Sequence, residues 1–247
     1  MTERFRVLIP AGGRSSRSGL SYPKTLYRLE GIPILIRIMQ LLEKYDPNPV
    51  IIINPANKTL FDEVLQEFGR RAEFVFQENP KGMGDAVLQA SQKIDEDAHL
   101  LLVWSDIPLL SQITIDHLVN CHLASENNFS LITSIGANCY TIVDREKGKL
   151  IRVRETRALG IAPEATGERE IGLFAFKKQP VFTILSADSN AENKIDVKEH
   201  GFLYAIEKLV AAGEKVEAYP VAVPNDLLSF NTPEDLLEIE NAILNKM

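Results

Sequence analysis

Continuous apolar runs set between amphipathic stretches constrain this chain more than any other feature. Val50-Ile51-Ile52-Ile53 and Leu100-Leu101-Leu102-Val103 offer no polar face. A strand of that kind is stable when both faces are buried, as in a parallel sheet covered by helices. Strands are expected at 5–10, 50–54, 73–77, 99–104 and 129–134, with helices at 33–44, 58–68, 83–94 and 114–124 between them. Apolar strands alternating with amphipathic helices build βαβ units. The fold class that follows is α/β, a doubly wound, mostly parallel, Rossmann-like sheet.

Ligands of such sheets bind beyond the carboxyl ends of the strands. The residues after each apolar run therefore carry the functional signal. The first run passes into Pro10-Ala11-Gly12-Gly13-Arg14-Ser15-Ser16-Arg17-Ser18-Gly19, followed by Tyr22-Pro23-Lys24. Gly12 and Gly13 permit backbone turns that a side chain would forbid. With Ser15 and Ser16 they let main-chain N–H groups converge on an anion. Arg14, Arg17 and Lys24 add positive charge beside that nest. The loop is not a P-loop, because no Gly-Lys-Ser/Thr follows at the required spacing. It is not the dinucleotide fingerprint, because Gly-x-Gly-x-x-Gly is absent and Pro23 opposes a helix start directly after the glycines.

This basic loop stands out because the whole chain of 247 residues carries a net charge of −7. Such an acidic balance argues against non-specific nucleic-acid binding. No apolar stretch has the length of a membrane span, and the N-terminus lacks a signal-peptide core, so a cytoplasmic protein without a membrane partner is expected. The two cysteines, Cys121 and Cys139, lack metal spacing and read as reduced thiols. His99, His117, His122 and His200 form no ligand pattern.

The rhythm changes near residue 136. A hairpin is expected from 139–144 and 149–155, joined at Glu146-Lys147-Gly148, followed by a loop rich in Gly, Pro and Glu through Arg169. A strand at 171–176, helices at 180–186 and 196–212, a strand at 215–223 and a helix at 233–244 complete the chain. We read one domain over 1–247. Its nucleotide-binding core comprises about 1–135 and 215–247, with a small β-rich substrate-binding extension at about 136–214.

Further polar groups stand at the strand ends. Gln77 ends the third strand, and an amide can donate and accept hydrogen bonds at once, as a base edge requires. Gly82 and Gly84 would let a flat ring approach the backbone. Asp85 has a simpler reading, an acid near a helix N-terminus. Asp106 follows the fourth strand within Ser105-Asp106-Ile107-Pro108-Leu109. A carboxylate at a buried strand end needs a partner, either a salt bridge or a hard cation such as Mg²⁺, which takes one or two carboxylates plus phosphate oxygens. Near the C-terminus, Thr232-Pro233-Glu234-Asp235 reads as a helix cap. That leaves Asn231 free to serve as a neutral metal ligand.

Taken together, Ala11 to Arg17, Pro23-Lys24, Gln77 with Gly82, Ser105 to Leu109 and Phe230-Asn231-Thr232 resemble the sugar-1-phosphate nucleotidylyltransferases. Within them the chain is most similar to the pyrophosphorylase domain of bacterial N-acetylglucosamine-1-phosphate uridylyltransferases. The resemblance implies a nucleotide-diphospho-sugar transferase fold. It implies Mg²⁺-dependent conversion of an NTP, UTP first, and a sugar-1-phosphate into an NDP-sugar and pyrophosphate. It gives Arg17 and Lys24 the triphosphate and the transition state. Ala11, Gly12 and Gly13 would cradle the nucleotide, and Gln77 and Gly82 would read its base. Asp106 and Asn231 would hold Mg²⁺. Glu155 and Trp104 would lie at the sugar, with Glu168 or Glu170 facing it. No counterpart of the acyltransferase β-helix follows, so pyrophosphorylase activity alone is expected.

The sequence departs from the family at three places. Ser18 stands where Met is usual, and Met83 replaces a small hydroxyl residue. Glu168-Arg169-Glu170-Ile171-Gly172 replaces Glu-Ile-Asn-Thr-Gly, losing the amino-sugar-binding Asn. Two alternatives therefore stay open. One is a non-sugar acceptor, either a polyol phosphate or molybdopterin, whose guanylyltransferase has a similar glycine loop. The other is a catalytically silent, nucleotide-sensing protein of this fold.

Overall fold

The computed structural model describes residues 5–13, 17–156, 160–189 and 201–244. Arg14, Ser15 and Ser16, and residues 196–200 at the start of an expected helix, lie outside them. The strands are β1 (Phe5–Pro10), β2 (Arg28–Leu29), β3 (Ile32–Pro33), β4 (Val50–Ile53), β5 (Glu73–Phe76), β6 (His99–Val103), β7 (Phe129–Cys139), β8 (Thr141–Glu146), β9 (Lys149–Glu155), β10 (Glu164–Lys177) and β11 (Val216–Tyr219). The helices are α1 (Ile34–Leu42), α2 (Lys58–Glu67), α3 (Met83–Gln89), α4 (Gln112–Ala124), α5 (Lys178–Ser189), α6 (Tyr204–Ala211) and α7 (Pro233–Leu244).

The doubly wound, mostly parallel sheet expected from the sequence is present. Seven strands pair in the order β11-β7-β10-β6-β1-β4-β5. All run parallel except β10, which is antiparallel to both β6 and β7. Alternation along each strand feeds two cores. Val7, Ile9, Ile51, Ile53, Leu101 and Val103 pack under α1, α2, α4 and α7. Leu8, Val50, Ile52, Leu100 and Leu102 pack under α3, α5 and α6. From β1 the chain builds outward through β4 to β5, and then crosses to β6 on the other side of β1. The gap between β1 and β6 is thus the topological switch point, where open α/β sheets bind ligands. No helix among the described residues is long and apolar enough to cross a membrane.

Several boundaries differ from expectation for identifiable reasons. Asn54, Gln77 and Trp104 leave the ladder one residue early; Asn54 instead accepts a hydrogen bond from Ala56 N at 2.9 Å and starts a turn. The helix expected over 83–94 ends at Gln89, and its chain tightens to i→i−3 bonds such as Lys93 N to Ala90 O at 2.9 Å. The expected loop before residue 171 is partly strand, because β10 begins at Glu164 and pairs with an extended β7. Cys139 belongs to β7, not to the hairpin. The hairpin turns at Lys147 and Gly148, with φ of 50° and 81°, as a type I′ turn requires. α4 begins at Gln112 because Ser111 caps it. α5 is longer than expected, and α6 begins only at Tyr204. β11 stops at Tyr219 because Pro220 has no N–H to donate. α7 matches its expected span.

Two of the four histidines that the sequence left unassigned, His99 and the buried His122, meet. His99 Nδ1 and His122 Nε2 lie 2.9 Å apart, and His122 Nδ1 lies 3.0 Å from Ser130 Oγ. Burial pushes the His122 imidazole down to about 3, and His99 and Lys177 push it the same way. An unfolded imidazole titrates near 6.5. The unfolded chain therefore binds the extra proton between those values. Stability is complete above about pH 6.5 and falls with pH below it, by up to ~1.4 kcal/mol per pH unit. Urea unfolding at pH 7 and pH 5 should show the loss, and His122→Gln should flatten it. An undiminished slope in that variant would place the acid sensitivity elsewhere.

Candidate active site

Three loops meet at the switch point. The first leaves β1, where Ala11 N donates to Ile52 O at 2.7 Å, carrying the chain across β4. Ser105 Oγ, beyond β6, donates to Pro10 O at 2.7 Å and closes the gap between the strands. Phe230 N donates to Asp106 O at 2.7 Å, drawing in the C-terminal loop. That loop is fixed by the start of α7. Asp235 Oδ2 accepts from Asn231 N and Thr232 N, each at 2.7 Å, while Thr232 Oγ1 accepts from Asp235 N at 3.4 Å. This is the capping box expected of Thr232.

The charged groups converge in consequence. Lys24 Nζ donates to Asp106 Oδ2 at 2.7 Å and to Asn231 Oδ1 at 2.9 Å. Arg17 Nη2 reaches the same Asn231 Oδ1 at 3.4 Å. Asn231 Nδ2 donates to Ser229 Oγ at 3.1 Å, which turns its oxygen toward the cations. Asp106 Oδ1 is buried and has no hydrogen-bond partner. Two oxygen donors, one with an orphaned carboxylate lobe, suit a hard divalent cation that completes its shell with phosphate oxygens and water. Among the described residues no cluster of three His, Cys, Asp or Glu side chains forms a metal site by itself.

On the β4 side, Gln77 is buried against the glycine loop. A Cβ on Gly12 would lie 3.3 Å from Gln77 Oε1, so glycine permits this approach. Gln77 Nε2 donates to Asp85 Oδ2 at 2.6 Å and more weakly to Gly82 O at 3.4 Å. Asp85, read from sequence as a helix-dipole residue, therefore also orients the amide. Gly82 precedes α3 with φ of 114°, a conformation open to glycine. Beside Gly12 and Gly13 a cavity of about 250 Å³ opens, walled by Tyr22, Pro23, Asn54 and Asn57.

The opposite wall comes from β6, β10 and the hairpin. β10 carries a bulge between Glu170 and Phe174, with Gly172 at φ of 81°. The bulge turns the Gly172 carbonyl toward Trp104 N, at 2.9 Å, and its amide N toward Glu170 Oε2, at 2.5 Å. Trp104 lies against Gly172, and its Nε1 is buried without a partner. Of the two candidate glutamates, Glu168 is held by Arg145 at 2.7 Å and by Thr133 at 2.6 Å. Burial opposes its ionisation, but those bonds outweigh it and keep the carboxyl below its ordinary value. Burial instead pushes Glu170 up to about 7; the Gly172 N–H opposes this, and the charge of Glu155 adds to it. Thr141, whose side chain also bonds Glu170, is the cross-strand partner of Glu155. Thr141 did not stand out in the sequence, and Gly172 was read only as the end of the Glu168–Gly172 segment, although a glycine inside an apolar strand is the usual mark of a bulge.

A glycine loop and a cation cluster at the switch point of such a sheet define a phosphate-handling α/β domain of the nucleotidyltransferase class. The chain belongs to the MobA-like NTP transferase domain family, which it matches over residues 7–185. It is 24% identical over 248 residues to "Bifunctional protein GlmU" of Caldicellulosiruptor saccharolyticus, covering 98% of this chain and 52% of that protein. It is 27% identical over 242 residues to the protein of the same name from Methylococcus capsulatus, covering 95% and 50%. The chain spans about half the length of these curated relatives. The crystal structure of UDP-glucose pyrophosphorylase complexed with UDP-glucose superposes with a TM-score of 0.78 at 16% identity, covering 99% of this chain and 100% of that one. At that identity the likeness establishes the fold. The resemblance read from the motifs is thus borne out at the level of the family.

The bulge yields a direct test. A Cβ on Gly172 would lie 2.9 Å from Cγ, Cδ2 and Cε3 of Trp104, at a backbone angle that side chains rarely adopt. Gly172→Ala should destabilise the fold by about 2 kcal/mol or more. It should also shift the emission of Trp104, the only tryptophan. Unaltered emission and stability would show that the bulge is not constrained as described.

Proposed function

We propose that the chain transfers a nucleotidyl group from an NTP, with UTP as first choice, to a sugar-1-phosphate, releasing pyrophosphate. The observation that carries this reading is the convergence of Arg17, Lys24, Asp106 and Asn231 at the switch point. An oxygen of the acceptor phosphate attacks the α-phosphorus. The bond from that phosphorus to the bridging oxygen breaks, and pyrophosphate leaves with the electron pair. A phosphate monoester is mostly dianionic near neutral pH, with a second pKa of about 6. No side chain has to remove a proton, so alignment and charge neutralisation carry the catalysis.

Ala11, Gly12 and Gly13 cradle the triphosphate. Arg17 neutralises charge developing on the leaving pyrophosphate, and Lys24 steadies the α-phosphate and the incoming phosphate. Asp106 and Asn231 would hold Mg²⁺, which would supply further charge neutralisation. With its NH₂ donating to Asp85, Gln77 presents Oε1, an acceptor suited to a base N–H such as uracil N3–H. Gly82 lets the base lie against the backbone. Trp104, Glu155 and Glu170 form the acceptor wall, supplied largely by the 136–214 extension. Cys121 and Cys139 are free thiols, which suits the cytoplasm.

A coupled pyrophosphate-release assay tests this reading. Asp106→Ala should abolish turnover. Arg17→Ala should lower kcat by about two to three orders of magnitude, as loss of one transition-state donor does. Near-native rates in either variant would overturn the assignment. Gln77→Ala should relax the choice among NTPs more than it slows transfer, and an unchanged preference would remove Gln77 from base reading.

A further inference from the structure

Glu170 and Asp226 are buried acids with no Lys or Arg partner among the described residues. Glu170 is 6% exposed. Glu168, two residues earlier on the same strand, meets Arg145. Glu170 receives hydrogen bonds from Gly172 N and the Thr141 side chain, and the charged groups acting on it are Glu155 and Asp106, both acids. A buried carboxylate without a counter-charge costs several kcal/mol. Asp226 offsets that cost with hydrogen bonds from Ser111 N, Thr114 Oγ1 and Val223 N, whereas Glu170 has only two. Gln in place of Glu170 would keep the bond from Gly172 N through its oxygen and donate its NH₂ to the Thr141 hydroxyl, without the charge.

The surroundings point to what supplies the counter-charge. Trp104 is held against Gly172, the residue whose N–H binds Glu170, and its indole Nε1 is a buried donor that nothing in the fold satisfies. That unsatisfied donor is independent of the acids and marks the same wall as the place where a ligand completes the structure. A neutral hydroxyl would give Glu170 a hydrogen bond but leave its charge uncompensated. An anionic substituent would be repelled by the uncompensated Glu170 carboxylate. A cation compensates the carboxylate, and an acceptor oxygen elsewhere on the same ligand satisfies the indole N–H. Lys24 and Arg17 lie at the Asp106 end of the site, where a phosphate belongs.

We infer that the acceptor is a phosphomonoester bearing an ammonium group, with the cation received by Glu170 on the wall that Glu155 and Trp104 share. This rests on the transfer reading above. The ammonium could be carried on an amino sugar or on an alkyl chain, and the two sources are separable by experiment.

Trp104 fluorescence reports on this wall in the full-length chain. Phosphocholine should be titrated against its uncharged carbon isostere, 3,3-dimethylbutyl phosphate, and glucosamine-1-phosphate against glucose-1-phosphate. At least one ammonium ligand should bind about tenfold or more tighter than its isostere, a difference in reach of one desolvated charge contact. The better pair identifies the source. Glu170→Gln should keep its thermal midpoint and reduce that preference to within about twofold. Equal binding within both pairs, or a preference that survives Glu170→Gln, overturns the inference. Pyrophosphate release from NTP and Mg²⁺ with the same acceptors separates the two claims. Turnover of glucose-1-phosphate without ammonium preference leaves transfer standing and sinks the acceptor assignment. Ammonium-selective binding with no release from any NTP supports the pocket chemistry and overturns transfer.

Discussion

One ammonium group, Lys24 Nζ, joins three stretches of chain that are far apart in sequence. It lies within hydrogen-bond distance of Asp106, which follows β6, and of Asn231, which precedes α7. Each partner is fixed from behind, Asp106 by Phe230 N on its carbonyl and Asn231 by Asp235 and Ser229. A partly buried carboxylate at this position would be costly alone, and the lysine removes that cost before any ligand arrives. The ion pair and its amide hold the C-terminal helix to the core and keep two oxygen donors and two cations together.

The opposite wall depends on backbone geometry. β10 is the one antiparallel strand of the sheet, and it reaches the centre by pairing with both β7 and β6. A regular strand would have continued its ladder past Trp104. The bulge at Gly172 interrupts that ladder and aims one carbonyl at Trp104 and one N–H at Glu170. Bulges commonly re-aim side chains next to active sites. Here the change depends on the lack of a single Cβ, because any other residue at 172 would meet the indole ring.

Much of this was legible in the sequence, and the rest was hidden for physical reasons. Val50-Ile51-Ile52-Ile53 has no polar face, so burial on both sides follows from the residues themselves. Strand ends then pointed to Gly12, Gln77 and Asp106, which the structure gathers on one edge. Thr166-Gly167-Glu168-Arg169 carries little strand propensity of its own and becomes a strand by pairing with β7, a contact invisible to local pattern. The His99–His122 pair likewise exists only because β6 and α4 pack together. Glu168 and Glu170 were indistinguishable because residues two apart share one face of a strand. They are separated by Arg145 on the hairpin, which pairs with Glu168 and not with Glu170.

The distribution of charge gives the site a direction. The protein is acidic overall, yet Arg17 and Lys24 face one end of the site while Glu155 and Glu170 face the other. A simple phosphate anion would be held at the basic end with no constraint on its remaining atoms. A molecule with phosphate at one end and a cation at the other would be aligned along the whole site by the same field, its phosphate presented to the α-phosphorus. Orientation of that kind is what a transfer between two phosphates needs, because in-line attack depends on position more than on any proton-transfer group. On the proposed reading, Glu170 in place of the family's amide would change which acceptor is aligned.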